Sequence, residues 1–176
     1  MTYQQVIDSS KDIFIKKTKD YGTSWRVLRP ISIVDQIFIK AQRIRTIQET
    51  GVQKVADDIA GEFRAIVNYG VIALIQLQLP ADDIYTDLPA DKVSVLYDEQ
   101  AASIRTVMEA KNHDYGEAWR SMSQESFVDL ILTKLLRIKQ ILRNDGKTLI
   151  SEGIDANYVD IVNYAVFALI LLEEKH

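Results

Sequence analysis

Apolar residues recur three and four apart through six stretches of the chain, the spacing of helices that bury one face. The pattern predicts a first helix from Tyr3 to Lys19 and a matching one from Lys92 to Asn112. Each runs into Asp-Tyr-Gly, where Gly22 or Gly116 takes the positive φ of a helix C-terminus without a Cβ clash. A second helix is expected from Ser32 to Glu49 and again from Ser126 to Arg143, closing near Gly51 and Gly146. The third runs through Asn68 to about Gln78, and through Asn163 to about Glu173, and is hydrophobic almost all round, as a helix central to a bundle must be.

The similarity of the two sets extends to individual residues. Lys17, Asp20, Tyr21, Gly22, Trp25 and Arg26 return 94 residues later as Lys111, Asp114, Tyr115, Gly116, Trp119 and Arg120. The same offset pairs Asp35 with Asp129, Lys40 with Lys134 and Arg43 with Arg137, whereas Ile66-Val67-Asn68-Tyr69 returns after 95 as Ile161-Val162-Asn163-Tyr164. A single residue has been inserted between the blocks. The reading is all-α: a helical bundle of two tandem three-helix repeats about a pseudo-twofold axis, third helices central. Residues 1–79 form the first repeat, 80–91 a linker with two prolines and a run of acids, and 92–176 the second repeat, packed as one compact domain.

Composition narrows the chemistry. The 176 residues suffice to bury a core without staples, and the absence of cysteine excludes disulfides, thiolate metal sites and cysteine nucleophiles. A formal charge of −4 with no long basic run argues against a general grip on duplex nucleic acid, leaving room for a local phosphate site. With 7 Gly and 3 Pro, the chain lacks the punctuation of a barrel or a Gly-rich nucleotide loop. The N-terminus has no apolar signal core, and the longest apolar stretch, Ala165 to Leu172, is far shorter than the roughly 20 residues of a membrane span. A soluble, cytoplasmic protein with no membrane partner is expected.

Polar residues present in both repeats are the candidates for chemistry. On a helical wheel Lys40 falls inside the apolar arc of Ile33, Ile37, Ile44 and Ile47, with Arg43 on its edge; Lys134 and Arg137 stand likewise among Phe127, Ile131, Ile138 and Ile141. A lysine facing a core stays charged only if an anion meets it. That anion is either a carboxylate from another helix or the phosphate or carboxylate of a ligand on which Lys40, Arg43, Lys134 and Arg137 converge. Asn68 and Asn163 are read as buried amides that either set helix register or contact a ligand.

The acids are unevenly shared. Glu62 has Asn157 as its counterpart and Asp160 has Ala65, so each repeat keeps a different half of an E-x-x-D pair. Asp35 and Asp129 are candidate metal ligands, but Ser32-x-x-Asp35 and Ser126-x-x-Asp129 read more readily as capping boxes. Glu152-x-x-Asp155 has the same spacing and falls where the last helix begins, a place that favours acids through the dipole. Trp25 and Trp119 read first as core plugs; Tyr21 and Tyr115, or the tryptophans themselves, are the rings available to stack on a base, with Asp20 and Asp114 beside them as further ligand contacts. His113 and His176 are isolated, so neither a zinc site nor a triad is supported.

The two K-x-x-D-Y-G segments, the D-x-x-x-x-K-x-x-R-I helices and the closing I-V-N-Y helices together resemble the family called nucleotide modification associated domain 1, over nearly the whole chain as a tandem pair. That resemblance implies a nucleotide or other phosphorylated small molecule as partner and, through a distant likeness to MazG-type all-α nucleotide pyrophosphohydrolases, a homodimer and Mg²⁺ held by carboxylates. Here those would be Glu62, Asp160, Asp35 and Asp129, with the four cations neutralising phosphate. The sequence departs from the hydrolase pattern in lacking E-x-x-E on either second helix. The rival expectation is a non-catalytic nucleotide-binding or helical interaction protein.

Overall fold

The computed structural model describes residues 1–52 and 58–174. Among these there are six α-helices and two short 3-10 turns, with no strand: α1 (Tyr3–Tyr21), α2 (Pro30–Thr50), α3 (Ile59–Gln78), α4 (Ala90–Tyr115), α5 (Gln124–Arg143) and α6 (Ile154–Glu174). The 3-10 turns, Ser24–Val27 and Ala118–Ser121, follow α1 and α4 at equivalent points of the repeat. His176 lies outside the described residues.

The most extensive packing is between α3 and α6, which form the middle of the bundle. Helices α1 and α4 pack on one side of this pair, and α2 and α5 on the other. One continuous core spans both repeats, from Val6 and Phe14 through Ile37, Val67 and Tyr97 to Ile131, Val162 and Leu169. Close approach of the central helices depends on Gly70. A Cβ there would overlap Val162 Cγ2, so an alanine can be added only if the Val162 side chain or α6 itself moves. By length and composition α6 could cross a membrane, but 72% of that stretch is buried in the bundle.

Two polar motifs tie the repeats crosswise. Asn68 Nδ2 donates to the Ser10 carbonyl at 3.0 Å and its Oδ1 accepts from the Tyr97 hydroxyl at 2.9 Å. Asn163 repeats the arrangement, donating to the Ile104 carbonyl at 3.3 Å and accepting from Tyr3 at 2.7 Å. Each asparagine thus joins its own repeat's first helix to the first helix of the other repeat. On the far face, Asp35 meets Lys139 at 3.3 Å and Asp129 meets Arg45 at 3.2 Å, a reciprocal pair of bridges between α2 and α5.

These bridges correct one expectation from the sequence. Helices α2 and α5 begin at Pro30 and Gln124, so Ser32 and Ser126 lie inside the first turn, and neither helix has a side-chain cap hydrogen bond. The capping boxes do not form. A box does form where none was expected, at Thr2 with Gln5. The first helices also run longer than their pattern, to Tyr21 and Tyr115, and α4 starts at Ala90 inside the expected linker. That linker folds back over the first repeat: Thr23 N donates to Asp87 Oδ1 at 3.1 Å and Leu88 N to Thr23 Oγ1 at 3.1 Å. Arg26 reinforces it, donating to Gln76 and to the carbonyls of Pro80 and Asp82.

Candidate functional site

A cavity of about 580 Å³ opens in the first repeat, within the range typical of small-molecule sites. Helix α1 supplies Phe14, Lys17 and Tyr21 to its wall, the 3-10 turn supplies Trp25, α2 supplies Lys40, and α3 supplies Arg64, Ala65, Tyr69 and Ile72. The cavity is therefore lined by both cationic and aromatic side chains. Neither Lys17 nor Lys40 has an ion-pair partner among the described residues. Arg64 leans on Glu173 at 3.5 Å, and Arg43, three residues after Lys40 on α2 and outside the cavity lining, faces Glu62 at 3.5 Å.

The second repeat treats the same positions differently. Asp160, 9% exposed at its side chain, accepts from Lys111 at 2.7 Å through Oδ1 and from Lys134 at 3.0 Å through Oδ2. Burial pulls the Lys111 ammonium down, but the hydrogen bond and charge of Asp160 outweigh it and leave the pKa raised. Tyr164 beside them is pushed up by burial first and by the Asp160 carboxylate second. Trp119, 8% exposed, stacks on Phe167 with ring centroids 4.3 Å apart and planes 4° from parallel. Its counterpart Trp25 is also buried and meets Phe14 at a tilted 6.2 Å.

The sequence candidates therefore separate. Lys134 is neutralised from within the protein, Arg137 is exposed at the surface, and Lys40 reaches the cavity. Asn68 and Asn163 are occupied as register-setting hydrogen bonds between helices, although Asn68 also borders the cavity. Tyr21 lines the cavity rim at 70% exposure, whereas Tyr115, Asp20 and Asp114 are exposed, with Asp114 beside His113 at 3.2 Å.

The four carboxylates named for a metal do not converge. Glu62 and Asp160 are engaged by cations, and Asp35 and Asp129 lie in the α2–α5 bridges. Among the described residues no three His, Cys, Asp or Glu side chains are grouped to hold a metal ion. This donor arrangement does not fit a carboxylate-bound Mg²⁺. Sequence reasoning overlooked Lys17, Arg64 and Tyr69 as cavity residues. The available signal was the pairing of Ala65 with Asp160 across the repeats, which left two lysines in the first copy without their carboxylate.

A model of the family described as nucleotide modification associated domain 1 matches residues 17–77 and again residues 111–172. The chain belongs to that family. The two matches coincide with the two repeats, each running from the lysine near the end of its first helix almost to the end of its third. Lys17 and Lys111 open the matched segments, and only Lys111 of the two meets a carboxylate among the described residues. The family's description connects the chain loosely with nucleotides. No curated protein and no solved structure matches it.

Proposed function

We propose that the chain is a nucleotide-binding protein of nucleotide metabolism or modification, with its ligand in the first-repeat cavity. The observation that carries this reading is the pair Lys17 and Lys40, which lack ion-pair partners among the described residues and line the same cavity as Trp25, Tyr21 and Tyr69. Ammonium groups suit phosphate oxygens as point charges, and aromatic faces suit any planar base. The family description is consistent with this but coarser. Binding rather than pyrophosphate hydrolysis is the activity proposed, because Glu62 and Asp160 are each committed to a cation inside the protein.

The test is a thermal-shift and calorimetric panel of nucleoside mono-, di- and triphosphates on the intact protein, each with and without Mg²⁺. At least one class is expected to raise the melting temperature, and Lys40→Met to weaken its binding. A flat response across the panel would reject nucleotide binding and leave the helical interaction protein as the better reading.

A further inference from the structure

We propose that the second repeat carries an internal copy of the ligand that the first repeat binds. Two residues of α6 act as the copy: the Asp160 carboxylate, held by Lys111 and Lys134, and the Phe167 ring, stacked on Trp119. Their counterparts on α3 are Ala65 and Ile72, both on the cavity wall, facing a set in which Lys17, Lys40 and Trp25 are all retained. The first repeat thus keeps the two lysines and the tryptophan and lacks the carboxylate and the ring that meet their counterparts in the second. This inference rests on the proposed nucleotide reading and specifies it: a phosphoryl group bridges Lys17 and Lys40 above Ala65, and a planar base lies against Trp25 above Ile72.

The chemistry of the two seats is alike. A phosphoryl group presents two oxygens to two ammonium groups as a carboxylate does, and carries more charge to do it. Asp160 and Phe167 are seven residues apart, so the two seats are about 10 Å apart along the helix, two turns, which is the scale of a nucleotide from base to phosphate. One phosphoryl seat and one aromatic seat describe a nucleoside monophosphate. Stacking on Trp25 does not distinguish one base from another.

The decisive variant is Ala65→Asp, which supplies the first repeat with the carboxylate of the second. The probes are AMP, GMP, CMP and UMP, with inorganic phosphate as a base-free arm. In the wild-type protein at least one monophosphate is expected to bind one per chain, and Ala65→Asp to weaken it about a hundredfold, the scale of losing charge-assisted hydrogen bonds. Without ligand, the same variant should melt at a higher temperature than wild type, because Lys17 and Lys40 gain an internal partner. Ile72→Phe should weaken the nucleotides but spare inorganic phosphate.

The outcomes separate the two ideas. Monophosphates that bind wild type and Ala65→Asp equally overturn the seat while leaving nucleotide binding intact. If no nucleotide binds wild type, the nucleotide reading falls; the phosphoryl seat then survives only if phosphate protects wild type and Ala65→Asp both abolishes that protection and melts higher. An Ala65→Asp protein that fails to fold passes the decision to Lys40→Met. Undiminished monophosphate and phosphate binding in Lys40→Met overturns the seat.

Discussion

Lys40 and Lys134 occupy equivalent positions on α2 and α5 and have opposite electrostatic surroundings. The Lys134 side chain is 14% exposed and its charge is balanced by Asp160. Lys134→Met removes one of the two cations on a buried carboxylate, and chemical denaturation should show a loss of about 3 kcal/mol, the low end for breaking such a pair because Lys111 still reaches Asp160. Lys40→Met keeps the aliphatic stem and relieves repulsion between unpaired cations, so the empty protein should be unchanged or up to about 1 kcal/mol more stable. Equal destabilisation by the two substitutions would contradict the assignment of Lys40 to a ligand. The wheel placed both lysines on the core side of their helices. It could not say which would find its anion, since the answer lies on another helix, in Asp160 against Ala65.

At the scale of the elements, the third helices were the most legible, their ends at Gln78 and Glu174 falling within a residue of the pattern. Nearly continuous apolar sequence made α3 and α6 central, and the repeated I-V-N-Y fixed which face each turns to the first helices. The starts of α2 and α5 were misread because a serine three residues before an aspartate is equally compatible with the interior of a first turn. Asp35 and Asp129, present in both copies, form the cross-helix bridges to Lys139 and Arg45, contacts that no local pattern displays. Gly70 permits a test of the central contact. Gly70→Ala gains about 1 kcal/mol of helix propensity, yet its Cβ would clash with Val162, so a net loss of about 1–3 kcal/mol is expected in thermal denaturation. Adding Val162→Ala should recover part of that loss, the non-additivity that marks a direct contact.

For the whole molecule, the crossed hydrogen bonds of Asn68 and Asn163 make each repeat depend on the other's first helix. With one core running through both repeats, unfolding should be a single cooperative transition, with circular dichroism and tryptophan fluorescence coincident although Trp25 and Trp119 report on different repeats. Two separated transitions would show that the repeats fold independently. The crossing also bears on how such a chain can change over time. A lone repeat could close both ends of this pairing only against a second copy of itself, and in that arrangement every substitution is made twice, so the two pockets must stay alike. Joining the halves in one polypeptide lifts that obligation. One pocket can then retain its opening while the other accumulates residues that plug it, and the plugged half becomes a rigid brace for its sibling.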